Sequence, residues 1–281
     1  MIITQGTDLL HYTSAALSFF LQNLNKPVAL TYSQRSIDRG STDAHLNLIC
    51  AARYAISDIA EIALIGHKNL DDNICLAMPG TKVRKMHTSR RDTFKIINST
   101  PIAEIPSDLK QEIKILKNFK ARDNNKKVKL DTAFSEKTAL IKIYPGQNPN
   151  ILNWYAEQGY KGIILELTGL GHVPGKSSTK NWIPTIKKLI NKGIIICGTA
   201  QTLYGRLNPN VYSAGRELQK SNLIFLKDML PETALIKLSH ILGHKSISRL
   251  GKKQRYEKVR QEMLNNKAGE LNLKLNIDED F

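Results

Sequence analysis

No stretch of this sequence is apolar for long enough to cross a membrane as a helix. Nothing at its start reads as a secretory leader, because Met1 runs straight into a strand pattern, and a cytoplasmic setting is expected. Cysteine is scarce. Cys50, Cys75 and Cys197 each lie in an apolar stretch and none belongs to a pair motif, which excludes a disulfide scaffold and predicts reduced core thiols. The seven histidines show no metal-ligand spacing, so no metal site is expected. A glycine-rich phosphate loop of the Gly-x4-Gly-Lys-Ser/Thr kind is missing, as are internal repeats and long low-complexity tracts.

The composition present, 41% hydrophobic and 23% charged over 281 residues, is ordinary for a soluble globular protein and leaves room for two domains or one large one. Charge is strongly one-sided, at +16. Residues 82–137 carry 15 Lys and Arg against 7 Asp and Glu, half of the excess in a fifth of the chain. Such a segment attracts a polyanion such as RNA, or serves as a solvated surface.

Strand and helix patterns alternate. Met1-Ile2-Ile3 reads as a buried strand leading into the polar turn Thr4-Gln5-Gly6-Thr7-Asp8, with a helical pattern behind it. VALTYS (28–33) is a strand. A helix follows, with Ser41 or Thr42 as its cap and Asp43 in its first turn. Residues 59–67 and 73–80 are strands, and 108–120 a short helix or irregular basic segment. After the polar stretch 121–130 a second series begins: strand 138–146, helix 150–160, strand 161–169, helix 182–193 and strand 194–199, then helices over 229–243 and 252–267 and an acidic, mobile tail over 277–281. This alternation predicts an α/β fold: a mostly parallel open sheet over residues 1–120, a linker over 121–137, and a smaller C-terminal α/β domain over 138–281.

In open α/β sheets, ligands sit outside the carboxyl ends of strands. That rule singles out TQGTD, SQRSIDRGSTD, GTKVRK, LTGLGHVPG and GTAQTLYG. Thr7 is a poor nucleophile without a base. Lys85, among other cations in KVRK, is a candidate, since burial and neighbouring positive charge both favour a neutral amine. A Thr7–Lys85 pair oriented by Asp8 fits acyl transfer. On spacing alone, a helix-capping Asp8 beside a surface Lys85 explains the same residues. Arg35 suits a carboxylate clamp or, more simply, a structural partner for Asp38 and Asp43. The turn Thr168-Gly169-Leu170-Gly171-His172 offers a close backbone approach and a polar tip.

Together these turns resemble a known family. TQGTDLLHYTSAALSF is similar to the second active-site motif of the bacterial-type L-asparaginases and their relatives, and PVALTYSQRSIDRGSTDAHLNL to the strand and helix that follow it. GTKVRKMHTSRRDTFKIINSTPIAEI, LTGLGHVP, TAQTLYGRLNPNVYSAGREL and DMLPETALIKLSHILG resemble the D-type branch of the family, found in archaeal glutamyl-tRNA(Gln) amidotransferases, and MLNNKAGEL fits its last helix. KMHTSRRD is the main reason to prefer that branch over stand-alone asparaginases.

The resemblance implies a glutaminase that releases ammonia for a partner, the E-type subunit of the amidotransferase. That partner binds Glu-tRNA(Gln) and phosphorylates its glutamate with ATP and Mg2+, so no cofactor is expected in this chain. It implies Thr7, Asp8 and Lys85 as the catalytic set, Asp8 also taking the substrate's α-amino group, and His172 near a substrate-side position supplied by a neighbouring copy. A homodimeric core is implied as well, with no membrane partner. Two other readings stay open: a free L-asparaginase and a non-catalytic scaffold. The family also has an earlier strand and a flexible loop with a Gly-Gly-Thr motif and a Tyr, whose threonine is usually taken as the nucleophile. These 281 residues contain only the Gly-Thr pairs Gly6-Thr7, Gly80-Thr81 and Gly198-Thr199. The expectation is a misassigned start, a separate N-terminal polypeptide that docks, or a decayed remnant.

Overall fold

The computed structural model describes residues 1–274, so the expected acidic tail lies outside the described residues. The chain divides into two compact units, Met1–Asp131 and Thr132–Phe281. The second is the longer stretch of chain, not the smaller. Among the described residues no helix is long and apolar enough to cross a membrane.

In the first unit the chain runs β1 (Ile2–Thr4), a single 3-10 turn (Thr7–Leu9), α1 (Leu10–Phe20), β2 (Val28–Thr31), α2 (Ala44–Ile56), β3 (Ile62–His67), β4 (Ile74–Pro79), β5 (Val83–Lys85), β6 (Phe94–Ile96), β7 (Ala103–Pro106) and β8 (Lys114–Ile115). The main sheet has the order β1-β2-β3-β4-β7-β8. β1 pairs with β2 and β2 with β3 in parallel. From β3 onward the pairing is antiparallel. Between β3 and β4 the reason is local: the connection from His67 to Ile74 is a few residues long, and a parallel return needs a crossover of a dozen or more. Residues 108–120 are irregular apart from β8.

β2 and β3 are buried on both faces, which is why they read as continuous apolar runs. Val28, Leu30, Ile62 and Leu64 pack with Leu10 of α1, while Ala29, Ala63 and Ile65 pack with Leu46, Cys50, Ala51 and Tyr54 of α2. The period-two alternation of strands thus feeds one core on each side of the sheet. β1 is an edge strand: Met1 and Ile2 are exposed, so the expectation of a buried strand fails there. Cys50 on α2 and Cys75 on β4 are neighbours in the second of these cores, and all three cysteines are free and buried.

The second unit holds a wholly parallel sheet of β9 (Thr138–Lys142), β10 (Gly162–Leu167), β11 (Ile195–Ala200) and β12 (Ile224–Phe225), in that order. Its helices are α3 (Asn150–Glu157), α4 (Ile183–Lys192), α5 (Ser213–Gln219), α6 (Pro231–Gly243), α7 (Lys245–Ser248) and α8 (Lys252–Leu264). Ile163, Leu165 and Leu167 pack towards Leu152 and Ile186, while Ile164 packs towards Leu238 and Val259. Within this unit Lys237 of α6 donates to Glu270 and to the carbonyls of Met263 (3.1 Å) and Asn265 (2.6 Å), with both charged side chains buried.

Candidate active site

β1 and β2 are parallel neighbours, so the turns at their carboxyl ends lie side by side. The first carries Thr7 and Asp8, and the second Ser33, Gln34 and Arg35. The third contributor is Lys85, the last residue of β5, whose partner across the β5–β6 ribbon is Phe94. The loop of that ribbon is the KMHTSRRD segment. It is closed by a hydrogen bond from the Met86 N–H to the Thr93 carbonyl (2.7 Å), and Asp92, buried beneath it, pairs with Arg90 (2.8 Å) and Lys95 (2.7 Å). Burial alone would raise the Asp92 carboxyl, but the two cations hold it down to about 2.

The Lys85 Nζ donates to Thr7 Oγ1 at 2.9 Å and to Asp8 Oδ1 at 2.9 Å. Thr7 is buried, whereas the Asp8 side chain is 92% exposed. An ion pair with so exposed a carboxylate stabilises little. Its significance is chemical: it sets an anion against the amine that touches the threonine hydroxyl. The hydrogen bond from Lys85, and its charge, hold the Asp8 carboxyl below the usual carboxylate range. Three residues separated by up to 78 positions therefore form one polar cluster, with geometry suited to passing a proton between Thr7 and Lys85 while Asp8 orients the amine.

Two contributors were not singled out in the sequence, and for Gln34 no signal was there to find. Gln34 Oε1 accepts the Thr7 hydroxyl proton at 2.7 Å, and its Nε2 donates to the Thr88 carbonyl at 2.9 Å. His11 stands one helical turn after Thr7, the i, i+4 spacing that could have revealed it. Burial first, and then the charges of Arg84 and Lys85, push its imidazole down to about 4, so it is neutral at physiological pH.

Asp43 does not open the first turn of α2 as expected. It sits at the N-cap position, and its carboxylate turns back to accept the N–H groups of Gln34 (2.9 Å) and Arg35 (3.0 Å) and the Asn47 amide (3.2 Å). Thr42, one residue before the cap, accepts from the Ala44 N–H at 3.2 Å, and neither Ser41 nor Thr42 is the N-cap. Asp43 is thus held by Arg35's backbone. Asn47 continues the network to Tyr32 O (3.0 Å) and His67 Nδ1 (2.7 Å), and His67 to Asp72 (3.1 Å).

His172 belongs to the second unit. It closes the turn after β10, where its N–H donates to the Thr168 carbonyl at 2.9 Å and Gly169 and Gly171 both take positive φ. Its ring meets Tyr212 edge-on at 5.5 Å.

Residues 1–120 match the asparaginase N-terminal domain, and residues 137–252 the glutaminase/asparaginase C-terminal domain. The D-type subunit of glutamyl-tRNA(Gln) amidotransferase from Thermococcus kodakarensis is 49% identical over 96% of this chain, and that from Pyrococcus furiosus 48% identical over the same share. The chain spans 58% of the length of either relative. Among solved structures, the thermostable L-asparaginase of T. kodakarensis is 31% identical, with a TM-score of 0.83 over 97% of this chain and 76% of that one. L-asparaginase I of Vibrio cholerae O1 biovar eltor is 27% identical, with a TM-score of 0.78 over the same shares. On both halves of its sequence and on its fold, the chain belongs to the glutaminase/asparaginase family.

Proposed function

We propose that this chain is the glutaminase component of a tRNA-dependent amidotransferase, releasing ammonia from glutamine for conversion of Glu-tRNA(Gln) to Gln-tRNA(Gln). The observation that carries the chemistry is the contact of one lysine nitrogen with both the Thr7 hydroxyl and the Asp8 carboxylate. An oxygen attacks the amide carbonyl, the C–N bond breaks, and water hydrolyses the acyl intermediate to glutamate. Thr7 and Lys85 take up the proton of the attacking oxygen and return it to the leaving nitrogen, which departs as ammonia. Similarity to the relatives named as D-type amidotransferase subunits supports the amidotransferase setting.

The same proposal includes Asp8 taking the substrate's α-amino group, His172 approaching substrate from a neighbouring copy, a homodimeric core, and an E-type partner that holds ATP, Mg2+ and the charged tRNA. The test is ammonia release from glutamine and from asparagine by the complex purified from its native cell, with and without Glu-tRNA(Gln). Glutamine turnover that rises with the charged tRNA is expected. Steady asparagine turnover by the chain without partner or tRNA would instead assign a free L-asparaginase, and no turnover of either amide a scaffold.

A further inference from the structure

The polar atoms around Thr7 leave only one arrangement of protons. Lys85, as an ammonium, is a donor only, so Thr7 Oγ1 accepts from it and must send its own proton elsewhere. Gln34 is the acceptor, at 2.7 Å. The other end of that amide fixes its orientation, because the Thr88 carbonyl can only accept, so Nε2 faces Thr88 and Oε1 faces Thr7. The backbone beneath is pinned too: the Asp43 carboxylate, fully buried, holds the N–H groups of both Gln34 and Arg35. A side chain clamped at its backbone and at both amide atoms has little rotamer freedom.

We propose that Gln34 is a positioning residue for the Thr7–Lys85 relay. It fixes the rotamer of the threonine hydroxyl and holds the proton until the lysine is a free amine able to take it, and it ties the relay to the 86–93 loop through Thr88. Its catalytic consequence rests on the glutaminase reading, while the positioning itself does not. A residue that merely filled space would be replaceable by any side chain of similar volume. Gln34 is replaceable only by one that accepts from Thr7.

The experiment compares Gln34→Leu and Gln34→Glu in the full chain by two readouts. The first is the Thr7 χ1 angle from three-bond couplings to its methyl carbon in labelled protein, which needs no turnover. One fixed rotamer is expected in the parent and in Gln34→Glu, which keeps the acceptor, and rotamer averaging in Gln34→Leu. The second is glutamine hydrolysis by the complex, read as kcat and KM separately. Gln34→Leu is expected to lower kcat by about 10- to 100-fold, with KM changed by less than about threefold, since misplacing a reacting group costs rate rather than binding. Gln34→Glu, which keeps the acceptor, is expected to retain kcat within about threefold of the parent. An unchanged Thr7 rotamer in Gln34→Leu overturns the proposal whether or not the parent turns over glutamine. If Gln34→Leu fails to fold, an averaged rotamer in Gln34→Glu does so. An inactive parent with the expected rotamers rejects the glutaminase reading and leaves the positioning standing.

Discussion

His11 makes the stability of the first unit depend on pH in a defined window. Its imidazole is 9% exposed and packs against Tyr12 (4.7 Å) and Phe94 (6.3 Å), and burial together with the charges of Arg84 and Lys85 pushes it down to about 4. An unfolded chain returns it to its ordinary value near 6.5. Above that value both states are neutral and His11 adds no pH dependence. Below it the unfolded state binds a proton that the folded state refuses, so stability falls as pH drops towards about 4. Each pH unit is worth about 1.4 kcal/mol, which brings the loss to roughly 2 kcal/mol at pH 5 and at most about 3 kcal/mol at pH 4. His11→Phe keeps a ring of similar size and removes the titration. Urea unfolding followed by far-ultraviolet circular dichroism is the suitable assay, because Trp154 and Trp182 both lie in the second unit. Between pH 7 and pH 5 the parent should lose roughly 2 kcal/mol more than His11→Phe. Parallel pH dependences in the two proteins would refute the assignment of a neutral, buried imidazole.

Lys237→Met leaves the buried Glu270 carboxylate without its cation and two carbonyls without their donor, and should destabilise the second unit by about 3–5 kcal/mol, read from tryptophan fluorescence in urea. Adding Glu270→Gln should recover part of that loss, and a cost below about 1 kcal/mol for the single change would contradict the buried pair. A methyl group at Gly66 would run into the Tyr32 hydroxyl and ring, so Gly66→Ala must displace Tyr32 and its bond to the Arg91 carbonyl. The expected cost is about 1–3 kcal/mol, seen as a lower thermal midpoint.

Much of this was legible from local pattern. Thr7, Asp8 and Lys85 stand in polar turns or ribbon ends next to apolar strands, where an α/β sheet presents chemistry, and the doubly buried β2 and β3 announce themselves as unbroken apolar runs. What the pattern missed was set by tertiary adjacency. Gln34 matters because β1 and β2 are parallel neighbours, and an uncharged amide gives no signal of its own. Asp43 looked like a first-turn acid because the Gln34 and Arg35 N–H groups that claim it come from the preceding loop. Cys50 and Cys75 share no motif, since helix and strand meet only in the core. β1 looked buried because Ile2 and Ile3 are apolar, and composition does not distinguish an edge from a centre.

For the proposed role of Lys85 as the base for Thr7, the decisive experiment is glutamine hydrolysis by the proposed amidotransferase complex carrying Lys85→Met. Removing a general base of this kind lowers rate by about 10²–10⁴-fold. A loss of at least about 100-fold in kcat is expected, with the complex still assembled. Activity above about a tenth of the parent's would contradict it, because that is well short of what the loss of a general base removes.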